Sequence, residues 1–463
     1  MVHVVIIGGG PGGYEAALVG RQLGAEVTLV DSDGIGGSAV LTDCVPSKTL
    51  IATAELMSEV RGAKELGIRR PDIEGVTLPE LTVDLGVVNA RVMALAAEQS
   101  ADITRRLTRD GVRIVRGHAR LDGAEQVVVD LADGGTETLG ADAVLIATGA
   151  APRVLPTAQP DGERILTWEQ VYDLAELPEK LIVVGSGVTG AEFASAYLDV
   201  GVDVTLVSSR DRVLPGEDAD ASAVLEEVSI RKGMHVLGES RMESVTRDGD
   251  TVTVTLTDGR TVSGSHCILA LGSIPNTADL GLESAGVWTD EGGFIRVDRV
   301  SRTTARGVYA AGDCTGVLML ASVAAMQGRI AMAHLLGDAV LPLNLKQVAS
   351  NVFTAPEIAT VGVTQKAVDS GEIQVETVKL DLAGNPRAKM QGVRDGFVKL
   401  FCRTGTGVVV GGVVVGPRAS ELIHPVSLAV AESLTADQLA RTFTVYPSIS
   451  GSLAEAARRL HRV

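Results

Sequence analysis

The stretch that decides the fold is VVIIGGGPGGYEAALVGRQLGAEVTLVD, residues 4–31. A run of β-branched residues leads into Gly8, Gly10 and Gly13 in GxGxxG spacing, an amphipathic segment follows, and a second apolar run ends at Asp31. This order predicts a strand, a tight turn, a helix and a second strand. The first glycine makes the turn, the second lets a pyrophosphate approach the backbone, and the third lets the helix pack closely on the strand. The stretch therefore predicts a dinucleotide site.

A second copy of the pattern, IVVGSGVTGAEFASAYLDVGVDVTLVS, covers residues 182–208 and aligns with the first without a gap. Its glycines are Gly185, Gly187 and Gly190. A single GxGxxG is weak evidence in a chain with 53 glycines. Two copies in the same strand and helix context predict two related nucleotide-binding domains.

The two copies end differently, and the difference bears on the nucleotide. Asp31 closes the first copy with a carboxylate that can accept hydrogen bonds from ribose hydroxyls. Ser208 stands at the aligned position of the second copy, and Arg210 and Arg212 follow it. No carboxylate there opposes a 2′-phosphate, and a guanidinium can pair with one. The second site is expected to accept NADPH, NADH or both; the alternative, that the arginines belong only to a solvated turn, stays open.

The segments outside the repeats complete an α/β architecture. Residues 112–150 and the segment that follows the second repeat each show short alternating strands, which predict small antiparallel inserts that return to a sheet. The last region, 347–463, mixes strands such as FVKLFCR with two helical stretches and carries no nucleotide fingerprint. A dimerisation domain is the expected use for it.

Charge and composition exclude several kinds of partner. The chain has 463 residues and a formal net charge of -17, which disfavours nucleic acid and anionic membrane surfaces. No apolar run is long enough for a membrane-spanning helix and no basic leader is visible, so we expect a cytoplasmic protein with no integral membrane segment. The four scattered cysteines form neither a disulfide framework nor a CxxC metal pair, and no metal site is predicted.

Further motifs, in order along the chain, carry a family resemblance. They are CVPSK at residues 44–48, IATGA around Thr148 and Gly149, GxGxxGxE ending in Glu192, GSIPNT from Gly272, and YAAGDCTG around Asp313. With both fingerprints, the chain resembles the flavoprotein disulfide reductases, the family of dihydrolipoamide dehydrogenase and glutathione reductase, over essentially its full length. The resemblance implies two Rossmann-like domains and a C-terminal α+β dimerisation domain.

The resemblance also implies how the chain is divided and what each part binds. FAD is expected in residues 1–150 and 276–346, NAD(P)H in 151–275, and the dimer interface in 347–463. The implied FAD residues, which include Asp31 for the adenosine ribose and Asp313 for the ribityl chain, are Gly8, Gly10, Gly12, Gly13, Asp31, Ser32, Gly37, Ser38, Lys48, Gly117, His118, Ala119, Thr148, Gly149, Asp313, Met319, Leu320 and Ala321. The implied NAD(P)H residues are Gly185, Gly187, Val188, Thr189, Gly190, Glu192, Ser208, Ser209, Arg210 and Gly272.

Among the implied catalytic residues, Lys48 is expected beside the flavin, paired with Glu192 near the nicotinamide. A cation there stabilises the anion that forms when hydride reaches the flavin. A scaffold that merely holds FAD would need neither residue.

Three departures from the family pattern concern disulfide chemistry alone. The family's redox cysteines are separated by four residues; here the second is Cys44, but the first position holds Ala39. The family's acid-base histidine and the glutamate that orients it are replaced by Tyr446 and Gly451. A phenol with a pKa of about 10 cannot act as a base near neutral pH as imidazole does.

The resemblance therefore narrows to the NAD(P)H quinone reductases that lack the redox disulfide. It implies hydride transfer from NAD(P)H to FAD, electron release directly to a quinone, and an active site shared across a homodimer. An apolar recess bordered by Ala39, Val40 and Tyr446 would suit a planar quinone. Tyr446 either contacts the quinone or is structural, and Cys44 is either a thiol against the flavin or a remnant; both questions stay open here.

Three alternatives to quinone reduction remain. The first is a transhydrogenase that passes hydride back to NAD⁺, and the second is an enzyme that cycles Cys44 through sulfenic acid. The third is a redox-inert FAD-binding protein, against which the retention of Lys48 and Glu192 argues.

Overall fold

A computed structural model describes residues 1–63, 65–68 and 81–461. The chain divides into two compact units. The first consists of Met1–Ser47, Asn89–Arg153 and Gly272–Asn344. The second consists of Lys48–Val88, Val154–Leu271 and Leu345–Val463, as far as these are described. The domain boundaries expected from the sequence stay predictions.

The α-helices alternate with the strands along the chain. Their bounds are α1 Pro11–Gln22, α2 Gly37–Leu41, α3 Cys44–Gly62, α4 Leu85–Arg109, α5 Val188–Val200, α6 Ala219–Arg231, α7 Leu282–Ala285, α8 Ala321–Leu335, α9 Gln365–Asp369, α10 Pro386–Met390, α11 Ala419–Leu422, α12 His424–Ala431, α13 Ala436–Arg441 and α14 Gly451–Arg459.

The strands form separate sheets in the two units. Their bounds are β1 His3–Ile7, β2 Glu26–Asp31, β3 Arg113–Leu121, β4 Gln126–Leu131, β5 Thr136–Gly140, β6 Ala143–Ile146, β7 Ala150–Pro152, β8 Ile165–Thr167, β9 Lys180–Val184, β10 Asp203–Val207, β11 His235–Leu237, β12 Met242–Asp248, β13 Thr251–Leu256, β14 Thr261–Gly264, β15 His266–Leu269, β16 Ser273–Pro275, β17 Val308–Ala310, β18 Ala349–Val352, β19 Glu357–Gly362, β20 Val375–Asp381, β21 Phe397–Arg403 and β22 Val409–Gly416.

The first unit is built on a seven-stranded sheet in the order β17-β6-β1-β2-β3-β4-β5. The strands from β17 to β3 are parallel, and β3, β4 and β5 continue as an antiparallel meander. This meander is the insert expected within residues 112–150. Parallel neighbours place their carboxyl ends at one edge, where a doubly wound sheet binds its ligand.

Strand β1 shows why its sequence is apolar without interruption. Val4 and Ile6 belong to the apolar core that contains helix α1, whereas Val5 and Ile7 belong to the core on the opposite face of the sheet. Side chains alternate between the two faces of a strand, so a central parallel strand must be apolar at every position. The expected strand, turn, helix and strand of this copy is confirmed as β1-α1-β2.

The second unit contains the matching copy as β9-α5-β10. Its five-stranded parallel sheet has the order β11-β10-β9-β15-β8, and a three-stranded antiparallel sheet, β12-β13-β14, is the expected insert. The sequence pattern repeated by the two copies therefore produces the same local structure twice. The expected α/β class with two nucleotide-binding folds is confirmed.

The C-terminal region forms its own antiparallel sheet in the order β18-β19-β22-β21-β20. The predicted strands FVKLFCR and VVVGGVVVG correspond to β21 and β22. The sequence predicted two helical stretches, but the described part of this region has six helices, α9 to α14, most of them short. Helices of four to six residues, such as α11 and α13, lack the several turns that a periodic pattern needs to be recognised.

Candidate active site

The first glycine turn has no room for side chains at two of its three glycines. Gly8 has a φ of 106°, which favours glycine, and a Cβ there would lie 2.3 Å from the Ala147 carbonyl oxygen. A Cβ on Gly13 would lie 1.9 Å from the oxygen of Gly8. A Cβ on Gly10, in contrast, would approach only the Cα of Gly37, at 3.9 Å. The space beside Gly10, at the N-terminus of α1, fits a pyrophosphate.

The second turn repeats this geometry. Gly185 has a φ of 111°, and a Cβ on it would lie 2.1 Å from the Ala270 carbonyl oxygen. A Cβ on Gly190 would lie 1.8 Å from the oxygen of Gly185, whereas one on Gly187 would have no atom within 4 Å. Both turns therefore leave open space only at the middle glycine, where the phosphates of a dinucleotide bind.

The FAD residues predicted from the first unit follow the carboxyl ends of neighbouring strands. Gly8, Thr148 and Asp313 come after β1, β6 and β17, Asp31 is the last residue of β2, and Gly117 lies within β3. The sheet order brings these strand ends to a single edge. The other predicted FAD residues of this unit lie in these strands or in the turns and helices next to them. They are Gly10, Gly12, Gly13, Ser32, Gly37, Ser38, His118, Ala119, Gly149, Met319, Leu320 and Ala321.

Asp31 already accepts hydrogen bonds from main-chain amides. The N–H of Gly9 lies 2.7 Å from Oδ2, and the N–H groups of Asp33 and Gly34 donate to Oδ1. Burial raises the pKa of this carboxyl, while the three amides lower it. Asp31 therefore fixes the glycine turn, besides facing the edge where a ribose is expected.

Asp313 is a partly buried acid with a like charge near it. Burial, and then the neighbouring Asp43 carboxylate, raise the pKa of Asp313 to about 6. Hydrogen bonds from ligand hydroxyls would relieve part of this penalty, because they favour the ionised form. This environment fits the predicted contact with a ribityl chain.

Lys48 and Glu192 form the ion pair that the sequence predicted. Lys48 Nζ donates to Glu192 Oε2 at 2.8 Å, and Glu192 is only 4% exposed. The other carboxylate oxygen, Oε1, accepts the N–H of Phe353 at 2.9 Å, and the ring of Phe353 lies 5.0 Å from Lys48 Nζ. Lys48 keeps a partly exposed ammonium, held by a buried carboxylate whose two oxygens are both engaged.

The turn after β10 shows how the second site is arranged for its nucleotide. Ser208 is buried, its Oγ lies 2.7 Å from Ser186 Oγ, and it accepts the N–H of Arg210 at 3.1 Å. Ser209 and Arg210 are exposed. Arg212 points back into its own loop, where Nη2 donates to the carbonyl oxygens of Pro215 and Glu217. Arg212 is thus bound within its own loop, whereas Arg210 is exposed, and its contact with a 2′-phosphate stays a prediction.

Comparison with known proteins identifies the family to which this geometry belongs. Residues 2–328 match the family described as pyridine nucleotide-disulphide oxidoreductase, and residues 348–457 match its dimerisation domain. The chain belongs to the pyridine nucleotide-disulphide oxidoreductases. It is accordingly a flavoprotein oxidoreductase that uses FAD and a nicotinamide nucleotide, and the open turns at Gly10 and Gly187 fit those two groups.

Relatives within the family differ in the activities for which they are named. The chain is 55% identical to an NAD(P)H dehydrogenase (quinone) of Mycobacterium tuberculosis, over 99% of this chain and 94% of the relative. It is 32% identical to a dihydrolipoyl dehydrogenase of Zymomonas mobilis, over 98% and 96%. A crystal structure of LpdA from M. tuberculosis matches all of both chains with a TM-score of 0.95 at 55% identity.

A more distant structure shares the fold alone. The HOCl-induced flavoprotein disulfide reductase RclA from Escherichia coli is 24% identical, with a TM-score of 0.86. Within the described ranges of this oxidoreductase, none of the helices combines the length and apolar character needed to cross a membrane.

The cysteines of this pyridine nucleotide-disulphide oxidoreductase form no disulfide; all four lie in the described residues. Cys44, the first residue of α3, is half-buried, and Cys267, Cys314 and Cys402 are buried. Burial raises the pKa of the Cys314 thiol to about 11, and its Sγ donates to the carbonyl oxygens of Ala311 and Ile146. A buried, protonated thiol is a poor nucleophile. Cys314 is thus unsuited to replace the missing redox cysteine.

Tyr446 is 83% exposed, next to a groove in the C-terminal region of the oxidoreductase. This groove has a volume of about 630 Å³, and polar side chains including Lys379, Asn385 and Arg458 line it. Gly451, at the start of α14, places only hydrogen where the family has a carboxylate. Because Ala39 and Val40 belong to the other unit, the apolar recess expected between them and Tyr446 stays a prediction.

Three residues that complete these arrangements could not be predicted from the sequence. Phe353 contacts the Lys48–Glu192 pair, Ser186 pairs with Ser208, and Ser195 accepts the N–H of Ala355. Phe353 stands outside every motif, and neither serine has a distinctive spacing. Among the predicted NAD(P)H residues, Val188 and Thr189 begin α5, whereas Gly272 belongs to the first unit and its role stays a prediction.

Proposed function

We propose that this chain is an FAD-dependent NAD(P)H:quinone oxidoreductase that does not reduce disulfides. The observation that carries the proposal is the intact Lys48–Glu192 pair in a chain that has Ala39 in place of the first redox cysteine. FAD, when bound, accepts hydride from NAD(P)H and delivers electrons to the quinone. The proposed location is the cytoplasm, where NAD(P)H is available.

Within this proposal, the ion pair serves hydride transfer. Glu192 is buried and holds Lys48 through one oxygen, so the ammonium has a defined position on a side chain that is partly exposed. A fixed cation stabilises negative charge that develops on a neighbouring ring at no cost of reorganisation. The proposed catalytic residues are Lys48 and Glu192, together with Cys44 and Tyr446.

The chain lacks the side chains that disulfide reduction requires in this family. A dithiol cannot form between Ala39 and Cys44, and Tyr446 and Gly451 provide neither imidazole nor carboxylate. The 55% identical relative is named for quinone reduction, whereas relatives named dihydrolipoyl dehydrogenase share only 32–34% of their residues. Both findings support a quinone as the acceptor.

A homodimer with a shared active site is part of the proposal. The C-terminal region matches a dimerisation domain, and Phe443, Val445 and Tyr446 expose apolar side chains there. Contiguous exposed apolar groups commonly mark a protein interface. We assign Tyr446 to the part of the surface that meets the partner subunit and its quinone.

The test is NADPH oxidation by the purified holoenzyme with three acceptors offered separately: a short-chain benzoquinone, lipoamide and a thio-analogue of NAD⁺. We expect rapid turnover with the quinone and none with lipoamide. Lipoamide turnover would contradict the proposal. Reduction of thio-NAD⁺ faster than of the quinone would instead identify a transhydrogenase.

A matched variant links the activity to the ion pair. Lys48→Met removes the ammonium and keeps much of the side-chain length. We expect flavin reduction by NADPH, followed anaerobically as loss of the yellow absorbance, to slow at least tenfold. Flavin that stays yellow in the wild-type protein would identify a redox-inert FAD-binding protein.

A further inference from the structure

Glu192 has two carboxylate oxygens, and each is committed to a different group. Oε2 accepts Lys48 Nζ at 2.8 Å and Oε1 accepts the main-chain N–H of Phe353 at 2.9 Å. A carboxylate held at both oxygens cannot rotate without breaking one bond. The direction in which Glu192 presents Oε2 to Lys48 is therefore set in part by the position of Phe353.

The segment that contains Phe353 is itself attached to helix α5. The N–H of Phe353 donates to Glu192, and the N–H of Ala355 donates to Ser195 Oγ at 3.1 Å. Glu192 and Ser195 are three residues apart and so lie on one face of α5. Two amides of the segment that follows β18 thus bind two side chains on adjacent turns, which fixes the segment along the helix.

The Phe353 ring restricts Lys48 from a second direction. Its centroid lies 5.0 Å from Nζ, within the distance at which an ammonium is attracted to an aromatic face. The Lys48 side chain is 29% exposed and Phe353 is only partly buried, so solvent would otherwise compete for the ammonium. The carboxylate and the ring together select one position of Nζ among the rotamers of a long, flexible side chain.

We propose that Phe353 is a positioning residue for hydride transfer, which holds the Lys48 ammonium in place through its ring and orients Glu192 through its main-chain amide. This inference rests on the proposed function, since it assigns Lys48 the role of the cation beside the flavin. It adds a residue that lies 161 positions from Glu192 in the chain and outside both nucleotide fingerprints.

The test separates the ring from the amide, because every non-proline substitution keeps the N–H that binds Glu192. Phe353→Leu and Phe353→Met remove the aromatic face while keeping an apolar side chain, and Phe353→Tyr keeps the ring as the matched control. The rate constant of anaerobic flavin reduction at saturating NADPH and the flavin midpoint potential are measured for each FAD-loaded protein.

We expect flavin reduction in Phe353→Leu and Phe353→Met to be about three- to tenfold slower than in the wild type. Their flavin potentials should shift to more negative values because the cation is less well fixed. Phe353→Tyr should recover at least half of the wild-type rate, and the NADPH concentration for half-maximal reduction should change less than twofold.

Wild-type rates and potentials in both ring-less variants would overturn the inference, as would a Phe353→Tyr variant as slow as Phe353→Leu. The proposed function is judged separately by quinone turnover of the wild-type enzyme. If NADPH reduces the flavin of the wild-type enzyme but the enzyme does not reduce quinones, the proposed function is refuted. The comparison of the Phe353 variants then still decides the inference about Phe353. A wild-type flavin that NADPH does not reduce would overturn both.

Discussion

At the scale of single residues, Arg210 is the guanidinium that we propose for the choice of coenzyme, because Ser208 is buried against Ser186 and Arg212 is bound to its own loop. We expect Arg210→Ala to raise the KM for NADPH about tenfold, since a charge-assisted bond to the 2′-phosphate is lost. NADH has no such phosphate, so its KM should change less than twofold. Steady-state kinetics of one variant with both nucleotides provides the internal control; equal effects on both would contradict the assignment.

The raised pKa of Asp313 predicts a pH dependence of stability in the flavin-free protein. Its folded pKa is about 6 and its ordinary value is 3.8, so the folded state retains the proton longer. The unfolded chain ionises first as the pH rises, and stability is lost between about pH 4 and pH 6. Relative to Asp313→Asn, the wild type should lose about 3 kcal/mol over this range in urea unfolding. Parallel curves for the two proteins would exclude the effect.

At the scale of elements, helices α1 and α8 pack so closely that a glycine is required between them. A Cβ on Gly328 would lie 2.1 Å from the carbonyl oxygen of Gly12 and 3.3 Å from the Ala16 Cβ. Gly328→Ala should separate the helices and cost about 1–3 kcal/mol. Because Gly12 lies in the first turn of α1, directly after the first glycine turn, the purified variant should also contain less FAD, measured as the ratio of flavin to protein absorbance.

Gly62→Ala is the matched control for this helix contact. Gly62 ends α3, and a Cβ on it would have no atom within 4 Å. Alanine also has a higher helix propensity than glycine. The melting temperature and FAD content of Gly62→Ala should therefore equal or exceed those of the wild type. A Gly328→Ala protein with unchanged melting temperature and flavin content would show that the two helices can adjust to the extra methyl group.

At the scale of the whole molecule, the exposed apolar segment near the C-terminus predicts a dimer. Phe443 is fully exposed, and Val445 and Tyr446 are nearly so. Light scattering should give twice the 48.0 kDa chain mass, and Phe443→Asp should shift the protein toward the single-chain mass because a charge would be buried in the interface.

Trp288→Asp provides the control for dimerisation. Trp288 is also an exposed aromatic residue, but it lies outside the residues that match the dimerisation domain. This variant should keep the mass of the wild type. A single-chain mass for the wild type at micromolar concentration would contradict the homodimer, and a dimeric Phe443→Asp would exclude that side chain from the interface.

Much of the fold could be predicted from the sequence because its signals are local. The glycines of the two turns, the apolar runs before them and the amphipathic segments after them lie within about 30 residues, and backbone sterics translate them into β1-α1-β2 and β9-α5-β10. The short helices of the C-terminal region were missed because four to six residues carry no readable period. The role of Arg210 stays a prediction, and the hydrogen bonds that hold Arg212 in its own loop could not be predicted from the sequence.

The sequence by itself determined the two nucleotide-binding folds, the ion-pair residues Lys48 and Glu192, and the absence of a dithiol at Ala39 and Cys44. Only the tertiary structure decided which groups surround that pair. Phe353 contacts Glu192 although 161 residues separate them in the chain, and the sequence around Phe353 contains no motif that predicts this contact. Local patterns follow from φ, ψ and side-chain periodicity, whereas contacts between distant segments depend on how whole elements pack, and no single stretch of sequence encodes that.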